Sequence, residues 1–149
     1  MRYLSDGRAS GRGFTLIEIM VVVVIIGLLA ALVVPAVVGQ VERARVTKAK
    51  ADIRSLGTAL AMFKLDNSKY PSTEQGLVAL VQQPTDPSIR HWRPGGYLDQ
   101  VSKDPWGSEY HYENPGTHGK EYDLYTLGAD GEPGGEEANA DIGNWNLSD

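Results

Sequence analysis

Hydrophobic positions along this chain fall into three regimes. From Phe14 to Val34 only Thr15 and Glu18 are polar in a run of 21 residues, and no charge follows Glu18 until Glu42. As an α-helix the run spans about 31 Å, close to the roughly 30 Å hydrocarbon thickness of a bilayer. After Gly39 the apolar positions become periodic: Val46, Ala49, Ile53, Leu56, Leu60 and Phe63 recur at spacings of 3, 4, 3, 4 and 3. That pattern is one face of an amphipathic helix, with Lys48, Asp52, Ser55 and Thr58 off the stripe. No proline interrupts residues 36–70. One helix is therefore predicted from Phe14 to about Leu65, about 78 Å long by helical rise. Its second half packs on a C-terminal domain and its first half stands as a membrane-embedded stalk. A coiled coil fits the stripe less well, because the stripe is short and contains Gly57. Pro35 either kinks or locally melts the helix, or marks the outer membrane boundary.

The third regime is irregular and then β. Asn67-Ser68-Lys69-Tyr70-Pro71 ends the long helix with turn formers and a pre-proline residue. A short helix is predicted next, N-capped by Ser72 or Thr73 and closed by Pro84, with Leu77, Leu80 and Val81 as its apolar face. Residues 84–98 read as an irregular loop packed around Trp92 and Tyr97. From Asp104 the pattern alternates. Tyr110 and Tyr112 share a face of one strand, and Tyr122, Leu124 and Thr126 alternate with Asp123 and Tyr125 in a second. A third strand is predicted over Ile142–Leu147, around Trp145. Three short antiparallel strands need a partner, and the amphipathic half of the long helix supplies it. The fold class is α+β. The aromatic residues are core and cross-strand partners rather than a ligand box.

Composition narrows the function. Leader and span leave about 115 residues, enough for one small domain. Net charge is −5, and from Glu121 to Asp149 there are eight acidic residues and no Lys or Arg. A nucleic-acid surface is excluded there, and a cation site is raised. With no cysteine there is no disulfide framework or thiol chemistry. His91, His111 and His118 read as isolated, and no nucleophile elbow or phosphate-cradling loop is present, so no enzymatic activity is expected.

Glu18 is the anomaly of the apolar run. An acid inside a membrane helix costs at least about 2.5–3.5 kcal/mol at the centre, less near an end, so it requires a partner. Phe14 and Glu18 are spaced i, i+4 and share a helix face. Were the chain cut before Phe14, its freed amine would be largely cationic and would sit at the positive end of the helix dipole. Glu18 could then meet its own N-terminus or that of a neighbouring subunit. The order of segments allows such a cut. The polar, basic residues 1–13 end in Gly13 before the apolar run, whereas a secretory signal is cut after its apolar region. Charge alone does not settle orientation, since bases flank the run on both sides.

The junction Arg12-Gly13-Phe14-Thr15-Leu16-Ile17-Glu18 resembles the leader junction of type IV pilin-like proteins. The segments YPSTEQGLVAL, DPWGSEYHY and LGADGEPGGE…DIGNW resemble the major (G-type) pseudopilins of type II secretion systems, in that family's order. The resemblance implies a pilin-like fold. Residues 1–13 become a cytoplasmic leader that prepilin peptidase cuts between Gly13 and Phe14, N-methylating Phe14. Residues 14–35 become a transmembrane and filament-core helix, 36–66 its amphipathic continuation, and 67–149 a periplasmic domain. It also implies a homopolymeric filament, minor pseudopilins and an inner-membrane assembly platform as partners, and export of folded proteins through the outer membrane. A surface type IV pilin is the alternative. The lack of cysteine and the acidic loop favour the pseudopilin.

That loop, residues 127–143, carries five carboxylates in a glycine-rich setting. Its chemistry alone leaves open a solvated acidic loop or an all-oxygen Ca²⁺ site. The resemblance implies Ca²⁺, with side-chain ligands from Asp130 and Asp141, carbonyl ligands from Leu127 and Glu132, and Asn139 as a further ligand. Glu136 and Glu137 would add nearby charge.

Overall fold

The computed structural model describes residues 13–148, without the side chains of residues 34–36. The leader predicted for residues 1–13 lies, apart from Gly13, outside these described residues. Helix α1 runs Leu16–Asn67, 52 residues, two further than expected at its C-terminal end. The helix is unbroken through Pro35, so of the alternatives there local melting is not found. By internal contacts the chain divides after Gly39 into a helical unit and a compact unit beginning at Gln40.

Within the first unit every large hydrophobic residue from Phe14 to Val33 is between 49% and 83% exposed. Apolar side chains on all faces of a helix require lipid or other protein around them. The helix is long and apolar enough to cross a membrane.

In the second unit the predicted stripe is the spine of the core. Ala49, Ile53, Leu56, Leu60 and Phe63 are buried with Tyr110, Tyr112, Leu124 and Ile142 of the sheet region and with Leu77, Leu80 and Ile89. Val46 packs at the margin. Phe63 is fully buried, its ring 5.3 Å from that of Tyr97. Phe63→Ala is expected to cost about 3–5 kcal/mol in urea unfolding of the detergent-solubilised chain, by lost transfer energy and a residual cavity. The helix stops where Ser68 turns left-handed at φ 63° and its N–H bonds to the Lys64 carbonyl at 2.7 Å. Asn67 fixes the stop: its amide donates to the Phe63 carbonyl and to the Tyr97 hydroxyl, and its Oδ1 accepts the His91 N–H.

The sheet has three antiparallel strands in the order β1-β2-β3: His111–Glu113, Asp123–Thr126 and Ile142–Gly143. Tyr112 pairs with Leu124, and Thr126 with Ile142. Three expectations are corrected here. The helix expected between Ser72 and Pro84 is only a 3-10 turn, Leu77–Leu80. Ser72 and Gln75 do make reciprocal capping bonds, but Gly76 at φ 56°, ψ −165° breaks the chain out of helical geometry one residue later.

The third strand is two residues long rather than six. Asn146 closes a turn onto Gly143, its Oδ1 accepting the Gly143 N–H and its own N–H donating to the Gly143 carbonyl. Asn144 continues the pairing with Leu124 partly through its side chain, its Oδ1 accepting the Leu124 N–H.

The third correction concerns β2, where Asp123 is 1% exposed although alternation places it outside. His118 is accordingly not an isolated histidine. Its Nδ1 lies 2.8 Å from Asp123 Oδ2, and its ring stacks on Trp145 at 3.8 Å. Burial raises the Asp123 pKa, but hydrogen bonds from the His118 ring, Thr117 and the His118 N–H outweigh it and hold the carboxyl below its ordinary value.

Candidate assembly and cation sites

The candidate site residues fall in two regions, one at each end of the chain. At the start of α1, Thr15 is the N-cap and Glu18 the third helical residue. Glu18 Oε2 accepts the Thr15 N–H at 2.7 Å and the Thr15 hydroxyl at 2.8 Å, while the Glu18 N–H reaches back to Thr15 Oγ1 at 3.3 Å. This is a capping box: two otherwise orphaned backbone donors are satisfied reciprocally. Thr15-Leu16-Ile17-Glu18 is its sequence signature, a contact separate from charge pairing with an amine. With Phe14 still in peptide linkage there is no free amine, and Glu18 is satisfied within its own turn. Gly13 and Phe14 lie before the helix, outside regular structure.

In the acidic loop two limbs are brought together. The Ala129 N–H donates to the Ala138 carbonyl, and the Asp141 N–H donates to the Gly134 carbonyl. Gly128, at φ +73°, lets them close: a Cβ there would lie 2.8 Å from the Ala138 oxygen and 2.9 Å from that of Ala140. Asp130 Oδ1 accepts the Glu132 N–H at 3.1 Å, and Asp141 Oδ2 accepts the Gly134 N–H at 2.9 Å. Leu127 enters the loop half-buried at the end of β2, and the Asn139 N–H bonds to the Glu136 carbonyl in a single 3-10 turn. Glu136 and Glu137 are exposed.

Donor chemistry tests whether a cation fits. Asp141 Oδ1 is buried and has no hydrogen-bond partner. A buried carboxylate oxygen without a partner is costly, and a hard cation would satisfy it. No three His, Asp or Glu side chains gather as a metal cluster among the described residues. The implied set does not require that, since it uses only two carboxylates, Asp130 and Asp141, with carbonyl and amide oxygens. Oxygen-only donors of this kind suit Ca²⁺.

Elsewhere the polar groups are structurally committed. A surface hollow of about 620 Å³ is lined by Glu74, Gln75, Val78 and Asp86 among others. The Asp86 carboxyl is held down to about 2 by the Ser88 hydroxyl and N–H, with Lys69 adding to the effect. It is consumed by its neighbours rather than poised for proton transfer.

A capped N-terminal helix, apolar on every face but for Glu18 and continuing as the amphipathic spine of a small antiparallel sheet, defines a pilin-like protein. Residues 8–34 match the family described as the prokaryotic N-terminal methylation motif, and residues 36–145 match the type II secretion system, protein G. The chain belongs to the type II secretion system protein G family. It is 58% identical over 139 residues to type II secretion system core protein G of Pseudomonas aeruginosa, covering 93% of this chain and 97% of that one. To the core protein G of Vibrio cholerae it is 57% identical over 137 residues, covering 92% and 93%. The crystal structure of the major pseudopilin from the type 2 secretion system of enterohaemorrhagic Escherichia coli matches with TM-score 0.63 and 42% identity. That match covers 72% of this chain and 92% of that one.

Proposed function

We propose that this pseudopilus subunit works by moving one apolar surface between two environments. In the inner membrane Phe14–Val34 is an anchor. In the filament the same residues pack against other copies, and the domain beyond them stands in the periplasm. The observation that carries this reading is the capped helix whose hydrophobic residues are exposed on every face. Lipid and a bundle of like helices are the two surroundings that satisfy it.

Prepilin peptidase would cut between Gly13 and Phe14 and methylate the new amine. That leaves Glu18 free to exchange Thr15 for the Phe14 amine of a neighbour. Minor pseudopilins and the assembly platform are the further partners of this reading, and export of folded proteins is its outcome. The family is structural rather than catalytic, and the chain's activity is assembly. In the acidic loop Ca²⁺ would be held by Asp130, Asp141, Asn139 and the carbonyls of Leu127 and Glu132, neutralising charge that would otherwise force the limbs apart.

The experiment is to isolate filaments from cells expressing this chain with its secretion system and measure the subunit mass. A subunit beginning at N-methylated Phe14 is expected. Filaments of the uncut chain would refute the reading.

A further inference from the structure

One carboxylate of the acidic loop is held in place without being satisfied. Asp141 Oδ1 is buried and unpartnered, the one such side-chain atom among the described residues. A carboxylate free to rotate would turn that oxygen into water, because a buried anionic oxygen without a partner is costly. Asp141 lacks that freedom. Its Oδ2 accepts the Gly134 N–H at 2.9 Å, and its own N–H donates to the Gly134 carbonyl at 3.1 Å. Its carbonyl accepts the side-chain amide of Asn146 at 2.9 Å. Gly134 therefore holds Asp141 from within the loop, and Asn146 holds it from beyond β3. Asn146 is itself fixed, its Oδ1 accepting the Gly143 N–H at 2.9 Å and its N–H donating to the Gly143 carbonyl at 3.1 Å. The turn between them is tight: a Cβ on Gly143 would lie 2.4 Å from the Trp145 ring, on which His118 stacks at 3.8 Å. Both ends of the Asn146 side chain are thus occupied, and its amide nitrogen is a donor that cannot coordinate a cation. Asn146 acts on the loop's carboxylates through the Asp141 backbone.

We infer that Asn146 is a positioning residue for the cation of the acidic loop: by clamping the Asp141 carbonyl it presents the buried Oδ1 to Ca²⁺ before the ion arrives. The inference rests on reading that loop as a cation site. Peptide units are planar, so fixing the N–H and the carbonyl of one residue fixes the backbone on both sides of its Cα. The direction in which the side chain leaves is then set, and the Gly134 bond to Oδ2 sets the rotation of the carboxylate. The ordering cost that a loose ligand would meet on binding is met instead during folding. Hydrogen-bond partners standing behind metal ligands act in this way. Charge alone makes the opposite demand. Asn146 is neutral, and an acid in its place would attract a cation more strongly.

The test pairs two asparagines of one turn. Asn144 makes the same kind of contact to β2 instead of to Asp141, its Oδ1 accepting the Leu124 N–H and its amide donating to the Tyr122 carbonyl. Asn146→Asp and Asn144→Asp each keep the accepting oxygen, lose the donor and add one negative charge. Calcium chloride is titrated calorimetrically into the full chain in detergent, and the unfolding midpoint in chelator shows that each variant is folded. We expect Asn144→Asp to bind calcium at least as tightly as the unaltered chain. Asn146→Asp should bind about 10–100-fold more weakly despite its added charge, the usual effect of removing a partner behind a metal ligand. Asn146→Ser, neutral and too short to reach Asp141, should weaken binding likewise and stands in if Asn146→Asp does not fold. Unchanged or tighter binding in either folded Asn146 variant overturns the inference. So does equal weakening in Asn144→Asp, which makes the effect one of turn stability. An unaltered chain that takes up no calcium defeats the cation reading of the loop itself, whereas one that binds it no better than the Asn146 variants defeats only the positioning role.

Discussion

Glu18→Ala is expected to leave the subunit inserted in the membrane, with its leader removed, and to abolish filament assembly. Removing an acid from a membrane helix lowers the cost of insertion, so anchoring should survive. The cut depends on the junction Arg12-Gly13-Phe14, which the substitution leaves in place. Locally the variant loses one half of the capping box with Thr15, at about 0.5–2 kcal/mol of helix stability. In the filament it removes the acceptor for a neighbour's Phe14 amine. Stranding one member of a buried charge pair costs about 3–5 kcal/mol, repeated at every subunit added. The second term is larger and recurs, so assembly should fail while the monomer persists. Thr15→Val separates the two, because it breaks the cap but keeps the carboxylate. It should assemble, though less efficiently. Sedimentable filament and membrane-bound, leader-free subunit are the quantities to measure, and secretion should follow the filament.

The proposed calcium site carries the second large expected effect. A ligand present at a thousandfold its Kd stabilises the folded state by about 4 kcal/mol. For a domain of this size that is a substantial share of the total. Chelation should therefore lower the thermal midpoint sharply. Asp141→Asn should give nearly the chelated value, whether or not calcium is added, because it removes the charge of the one loop carboxylate with a buried oxygen lacking a partner. Glu136→Gln, altering an exposed carboxylate outside the implied set, should keep the calcium response. Equal midpoints in calcium and in excess chelator for the unaltered chain would remove the cation from the account.

Much of this was legible in the order of residues, because the physics there is local or periodic. The stripe from Ala49 to Phe63 is buried as its spacing requires, since a helical face has only one way to hide its five apolar side chains. The helix stop at Asn67-Ser68 follows from turn chemistry in the same way. What was hidden depends on contacts between distant residues or on a competing local rule. Asp123 looks solvent-facing by alternation. Four donors from the neighbouring Thr117-His118 segment make its burial tolerable, and no periodicity reveals them. Trp145 leaves the third strand to stack on His118, a contact across 27 positions of sequence. Gly76 cuts the short helix down because its φ is positive, although the capping residues before it signal a start.

Glu18 is legible in the sequence as an acid in an apolar run, and the T-x-x-E spacing that pairs it with Thr15 is a second, local signal at the same residue. The proposed role would use both contacts: Thr15 satisfies Glu18 in the uncut chain, and a neighbour's amine would satisfy it in the filament.

The central claim is that the membrane anchor and the assembly interface are one surface. Electron cryomicroscopy of filaments assembled from this chain tests it directly. Phe14–Val34 of successive subunits should form the filament interior, with a Glu18 carboxylate within hydrogen-bonding distance of a neighbour's Phe14 nitrogen. Apolar helices outside the filament core, or Glu18 still bonded only to its own Thr15, would contradict it.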